Sequence, residues 1–212
     1  MNCCIIGIGQ FGYAAAIQLI ENGNQVCAVD KDITIISNIQ DKVSYAVCLD
    51  IKDEKSLSMI GIDTFDAIIL AMGQNFEQLV IIAGLIKKNF NVPLIICRAN
   101  NDQQKTILDM IGVEYIILPE KESALQLVDR ISVGFGYFYR IAENYSLTYV
   151  HCKKSWIGLT IEEIREKYPK VLLLGKKNQS NIEEINDYDV LHGNEIIMFS
   201  GENQNLLSIT GN

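Results

Sequence analysis

The sequence predicts an α/β protein: a doubly wound parallel sheet, then one long helix, then a small α+β domain. Three observations carry that expectation. Between residues 2 and 119, six short apolar runs alternate with helical patterns, as strands buried on both faces do. The first run ends in Gly7-Ile8-Gly9-Gln10-Phe11-Gly12, a glycine spacing that turns a strand sharply into a helix. The second run ends in Asp30, eighteen residues past the last of those glycines.

Cys3–Ile6 is the first predicted strand and Phe11–Ile20 the first helix, with Ala14, Ile17, Leu19 and Ile20 facing inward. Val26–Val29 is the second strand. Asp32 then reads as the N-cap of a helix carrying Ile35, Ile36 and Ile39. Ala46–Leu49 is the third strand, and Asp53–Ile60 a short helix closed by Gly61. Strand Ala67–Ala71, the apolar helix Phe76–Asn89 and strand Leu94–Cys97 follow. Helix Gln103–Ile111 stops at Gly112, and Tyr115–Leu118 completes the six strands.

After Pro119 the rhythm changes. Lys121–Arg140 reads as one helix, with Ala124, Val128, Ile131, Phe135 and Phe138 forming a stripe that Leu125, Leu127, Val133 and Tyr137 widen. A helix apolar over most of its surface is buried by more than one neighbour. The pattern alone allows either a second subunit or the chain's own C-terminal domain. Domains are expected at 1–140 and 141–212. The smaller has strands Leu147–Val150, Val171–Leu174 and Glu195–Phe199 and a charged helix, Thr160–Lys167, with Thr160 and Glu163 spaced as a capping box. Gln179–Asp187 reads as a polar loop.

Composition excludes several classes. With 212 residues, 49% hydrophobic and only three prolines, the chain can build a sizeable core. A formal charge of −8 is wrong for a nucleic-acid partner. Met1-Asn2 supplies no basic start to an export signal. The longest apolar run, Leu79–Ile86, is closed by Lys87-Lys88, so a soluble protein without direct membrane insertion is expected. The six cysteines contain no C-x-x-C pair, and five lie in apolar runs, as small hydrophobes in a reducing cytosol do. His151 and Cys152 would point to opposite faces of a strand.

The glycine loop carries the chemistry. Gly7 permits the tight turn, Gly9 lets a pyrophosphate approach the backbone, and Gly12 lets helix and strand pack closely. The helix that follows offers unpaired N–H groups and a positive dipole end to phosphates. Asp30 can accept from both ribose hydroxyls and would repel a 2′-phosphate. This Rossmann-like arrangement predicts an adenine nucleotide, with Ile8, Gln10, Phe11 and Lys31 as adjoining positions.

Other candidates stand at carboxyl ends of strands, on one rim of the sheet. Asp50 and Ile51 would border the adenine, Met72 and Gly73 would admit ligand to the backbone, Arg98 would neutralise phosphate, and Glu120 would take a cation or a hydroxyl. Hydride transfer would need a positioned acid/base as well. Both histidines, His151 and His192, fall outside the nucleotide half, and no Ser-Tyr-x-x-x-Lys pattern occurs. A nucleotide receptor is therefore expected rather than an enzyme; the alternative is a small NAD-dependent oxidoreductase.

GIGQFG, Asp30, the strand-end segments LAMGQN and CRANN, and IILPEKESA leading into a long helix together resemble the regulatory subunits of Ktr/Trk potassium-uptake systems. Those have an RCK-N (TrkA-N) domain followed by an RCK-C (TrkA-C) domain. The resemblance spans the chain and is specific over its first 140 residues; beyond them it rests on length and element order. It implies a non-enzymatic gating subunit, cytoplasmic and peripheral to the inner face of the membrane through a potassium channel or transporter. The domains would pair through the crossover helix, and the dimers would assemble into an octameric ring. ATP or ADP, or in some members NAD(H), would shift that ring between states.

Carried over by position, Gly7, Gly9 and Gly12 would form the phosphate loop and Asp30 would hold the ribose. Asp50, Ile51, Met72 and Gly73 would line the adenosine pocket. Arg98 would reach phosphate, and Glu120 would bind a divalent or monovalent cation. Many members carry Arg where this chain has Gln10. A neutral amide cannot replace a charge-assisted phosphate contact, so a weaker preference for ATP over ADP is expected. In some relatives the C-terminal domain binds cyclic di-AMP. Arg165, Lys167 and Tyr168 are suitable types for it here, although the usual Pro-containing loop is replaced by Gln179–Asp187.

Overall fold

The computed structural model describes residues 1–73, 75–132, 138–178 and 181–210. The first unit follows the expected alternation: β1 (Asn2–Ile6), α1 (Gln10–Glu21), β2 (Gln25–Asp30), α2 (Ile33–Ile39), β3 (Tyr45–Cys48), α3 (Glu54–Met59), β4 (Ala67–Leu70), α4 (Phe76–Asn89), β5 (Leu94–Arg98), α5 (Asp102–Ile111) and β6 (Tyr115–Ile117). The strands form one parallel sheet in the order β3-β2-β1-β4-β5-β6. The order reverses between β1 and β4, and a crevice opens there at the carboxyl ends of the strands.

Side-chain alternation supplies both faces of the sheet. Cys4, Ile6, Cys27, Val29, Ile68 and Leu70 point into one core with Leu79, Ile82 and Ile86 of α4. Ile5, Val26, Ala28 and Ile69 point into the other, with Ala16 of α1. Burial also explains the thiols: desolvation pushes the Cys97 pKa up to about 12, with the Glu114 carboxylate adding to the effect.

Helix starts follow local capping chemistry. Asp32 accepts from Thr34 N at 2.8 Å, Asn75 from Gln78 N at 3.2 Å, and Asn101 from Gln104 N at 2.9 Å. Asp53 and Ser56 form a reciprocal box at the start of α3. α1 differs from α2–α5: its N-cap is Gly9, which offers no side chain.

α6 (Pro119–Ser132) leaves the sheet. Its first turn is tied to the parallel unit by Arg98–Glu120 and Lys121–Asp102 ion pairs. Tertiary contacts divide the chain into Met1–Lys121 and Glu122–Asn212. Leu125, Leu127 and Val128 are exposed along α6 in the single chain.

The second unit contains β7 (Phe138–Ala142), β8 (Tyr145–His151), α7 (Ile161–Lys167), β9 (Val171–Asn178), β10 (Asn181–Glu183), β11 (Ile196–Glu202) and α8 (Asn203–Thr210). Its antiparallel sheet runs β10-β9-β11-β8-β7. Trp156, fully buried, stands edge-on to Phe199 at 5.8 Å and to Tyr168 at 5.7 Å, surrounded by Ile161, Ile164, Leu173, Leu206 and Ile209.

Three expectations are corrected here. The helix Lys121–Arg140 ends earlier: Phe138–Arg140 is strand, with Phe138 opposite Thr148 and Tyr139 opposite Leu147. Three residues, Phe138-Tyr139-Arg140, are too few to show a period of their own, and aromatic residues suit a strand that pairs with β8. Val133, Phe135 and Tyr137 of the expected stripe lie outside the described residues. Within the expected loop Gln179–Asp187, Asn181–Glu183 pairs with Lys176–Asn178 as an exposed edge strand, which buries no face and so leaves no hydrophobic pattern to find. α8 was not anticipated either; Leu206 and Ile209 bury its inner side.

Trp156 is the single tryptophan, so its fluorescence reports the second unit specifically. Phe199→Ala is expected to destabilise that unit by about 3–5 kcal/mol, seen as a lower midpoint in a fluorescence-monitored urea titration. Cys48 is the exposed thiol and the other five are buried; brief alkylation of the folded chain should label Cys48 alone, as peptide mapping would show.

Candidate functional site

The crevice is built first by backbone. Gly7 turns the chain out of β1 at φ +94°, and its N–H donates to Val29 O at 2.8 Å. A Cβ at Gly7 would lie 3.1 Å from the backbone of Ala71 and Met72. At Gly12 a Cβ would fall 2.0 Å from Gly7 O, so no side chain fits there. At Gly9 nothing lies within 4 Å of such a Cβ, and its φ of −68° suits any residue. Gly7 and Gly12 thus serve the turn itself, whereas Gly9 leaves space in front of it.

Tyr13 N donates to Gly9 O at 2.8 Å, the first bond of the α1 ladder. The N–H groups of Gln10, Phe11 and Gly12 precede that ladder and carry the positive end of the helix. No acidic side chain stands in this first turn.

Asp30 holds the loop in place. Its Oδ2 accepts from Ile8 N at 2.7 Å and its Oδ1 from Asp32 N at 3.0 Å. Each oxygen keeps a second lone pair, so the carboxylate that shapes the loop can still accept from a ligand hydroxyl. Lys31 beside it is exposed, and its carbonyl accepts from the Cys48 thiol at 3.5 Å.

The rest of the rim is assembled by side chains that sequence reading passed over. Gln78, in the first turn of α4, donates to Ile51 O and lies 3.4 Å from Asp50 Oδ1. It thereby fixes the segment after β3. Asn75 both caps α4 and donates to Gln78 Oε1 at 2.9 Å. The three-residue spacing of Asn75 and Gln78 was the available signal. The Ile51 side chain lies in the core with Leu57, which leaves its backbone as the part that meets Gln78.

After β4, a Cβ at Gly73 would lie 2.8 Å from Arg98 Nη1, and Gly73 O accepts from Asn100 Nδ2 at 2.7 Å. Arg98 is mostly buried. Its Nη2 donates to Glu120 Oε1 at 2.5 Å, and its Nε is buried without a hydrogen-bond partner. Glu120, 64% exposed in its side chain, stands on the first turn of α6.

These contacts join the glycine loop, Asp30, Met72, Gly73, Arg98 and Glu120 along one rim, with Asp50 and Ile51 attached through Gln78. Arg165, Lys167 and Tyr168 belong to the second unit and are engaged there. Arg165 Nε lies 3.4 Å from Asp187, Lys167 sits over the Tyr168 ring, and Tyr168 rests on Trp156. None of the three lines that unit's open cleft of about 620 Å³, bounded by Tyr145, Lys170, Ser200 and Glu202. Among the described residues, no three His, Cys, Asp or Glu gather as a metal site.

Residues 3–119 match the family described as the TrkA-N domain. The chain is 30% identical over 200 residues to Ktr system potassium uptake protein C of Bacillus subtilis (strain 168), covering 93% of this chain and 90% of that protein. It is 29% identical over 127 residues to Ktr system potassium uptake protein A of Vibrio alginolyticus, covering 60% of this chain but only 57% of the relative. In fold it is similar to the GsuK RCK domain, with a TM-score of 0.65 at 14% identity over all of this chain and 48% of that one. It is also similar to the GsuK channel bound to NAD, with a TM-score of 0.62 at 13% identity over 97% of this chain and 38% of that one.

Asp30→Ala is expected to leave the Ile8 N–H unpaired and to cost about 1–3 kcal/mol in the ligand-free chain. Chemical denaturation without nucleotide would measure it; an unchanged midpoint would show that the carboxylate does not hold the loop.

Proposed function

The chain belongs to the TrkA-N family, alongside the Ktr-system potassium uptake proteins, and from that premise we propose that it is a cytosolic regulatory subunit of a potassium channel or transporter. In this reading it binds an adenine nucleotide and converts binding into a conformational change without turning the ligand over. The observation that carries it is the pairing of an uncapped helix start at Gly9 with the Asp30 carboxylate fastened to the same loop. Such a crevice offers N–H groups to phosphates and an acceptor to ribose hydroxyls. ADP, ATP and NAD(H) share these features.

Gly7–Gly12, Asp30, Met72, Gly73 and Arg98 would make the pocket, with Asp50 and the Ile51 backbone at its far border. Gln10, exposed on the first turn of α1, is neutral, so discrimination between ATP and ADP would fall on Arg98. A cation at Glu120 would have to displace the Arg98 guanidinium that now pairs with it. Arg165 lies near Asp187 and Lys167 over the Tyr168 ring, and the proposed nucleotide is assigned to the first unit.

Regulation of this kind requires that nucleotide bind two states unequally; a coupling of about 1–3 kcal/mol is the usual scale. Self-assembly, up to a ring of dimers, is part of the reading. It is supported by exposed apolar side chains on α4 (Ile81), α5 (Ile107, Met110) and α6 (Leu125, Leu127, Val128), which a lone chain leaves in water.

Gly9→Ala separates binding from folding. Its Cβ meets nothing in the protein, so stability should change by less than ~0.5 kcal/mol. The methyl group would intrude where phosphate must approach, and nucleotide affinity should fall by about tenfold or more, or ~1.4 kcal/mol. Calorimetry with ADP, ATP and NADH on both proteins tests this. No binding to the unsubstituted chain, or equal binding to both, would overturn the reading.

A further inference from the structure

Glu120 occupies the cation that a ligand phosphate would need. Arg98 Nη2 donates to Glu120 Oε1, the guanidinium lies against Gly73, and Nε is buried without a partner. Gly73 in turn follows Met72, which touches the turn at Gly7. A continuous run of contacts therefore leads from the glycine loop through Met72, Gly73 and Arg98 to Glu120. Glu120 is the second residue of α6, the helix on which the chain leaves its parallel sheet. The neighbouring residue, Lys121, is held by Asp102 through Oδ1 at 2.8 Å and Oδ2 at 2.9 Å. The first turn of α6 is thus fastened by two ion pairs, and only one of them uses a side chain of the proposed pocket.

The geometry points to Glu120 as an internal competitor for the ligand: its carboxylate stands in for a phosphate on Arg98, and a bound nucleotide diphosphate takes Arg98 from it and loosens the first turn of α6. This rests on the nucleotide reading above and adds to it the means by which occupancy reaches the helix. The competition is physically balanced. Glu120 is largely in water and meets Arg98 through one hydrogen bond, so a diphosphate with two charges and several acceptors outbids it, while an empty pocket returns Arg98 to Glu120. By linkage, whatever the ligand does to the pair, the pair does to the ligand.

The test uses the full chain and ADP. Glu120→Gln removes the competing charge and should bind ADP about two- to fivefold more tightly or better, the lower bound set by an ion pair whose carboxylate is largely in water. Lys121→Met breaks the second tie of the same turn and leaves Arg98 paired, so its ADP affinity should match that of the unsubstituted chain. Hydrogen exchange of residues 122–125, the first amides bonded within α6, should quicken when ADP is added to the unsubstituted chain. In Glu120→Gln it should be fast already and insensitive to ADP. Equal ADP affinity in Glu120→Gln and the unsubstituted chain would overturn the competition. So would an equal gain in Lys121→Met, or exchange at 122–125 that ignores ADP. If the unsubstituted chain binds no ADP, the nucleotide reading itself fails, an outcome distinct from binding without competition.

Discussion

The Asp30 carboxylate is the constraint on which the site depends. One oxygen holds the Ile8 N–H and the other the Asp32 N–H, so the end of β2 is bound both to the glycine loop and to the entry of α2. A turn containing Gly7 and Gly9 has few side chains to define it and a large conformational entropy to lose. Fastening it through a charged acceptor, where hydrogen bonds are stronger than between neutral groups, selects one shape. In that shape Gly12 can approach Gly7 O, and the start of α1 faces the crevice.

From that fixed loop the rim is built outward by contacts of decreasing rigidity. Gly7 lies against Ala71 and Met72 through backbone, which tolerates no displacement. Gln78 ties the segment after β3 to α4 through one side chain. Arg98 and Glu120 meet at the outer end, where Glu120 is largely in water. Such a gradient suits a sensor: the recognition end is rigid, and the end nearest the departing helix is held by an exchangeable ion pair. In the second unit the core is centred on Trp156, whose ring meets Phe199 and Tyr168 edge-on.

The elements most legible in the sequence were those specified within a few residues of themselves. Asp32 and Thr160 cap the helices they were expected to cap, because an N-cap acts on backbone two or three positions away. The six apolar runs became six parallel strands because burial on both faces demands unbroken hydrophobicity. The failures came where local signals were ambiguous or silent. Phe138–Arg140 is too short to show a period of its own, and β10 is an exposed edge with no apolar side to reveal it. That Phe138–Arg140 is strand was decided by pairing with β8.

By itself, then, the sequence determined the parallel architecture, the sharp turn at the glycine loop and the acidic residue that accompanies it, because periodicity, steric permission and capping are local properties of a chain. Only the tertiary structure decided how those residues are used. That Asp30 clamps Ile8, that Gln78 reaches Asp50, and that Arg98 is held by Glu120 are meetings of residues between 22 and 28 positions apart. No spacing encodes them, since each depends on which strands lie side by side and on which carboxyl end each loop emerges.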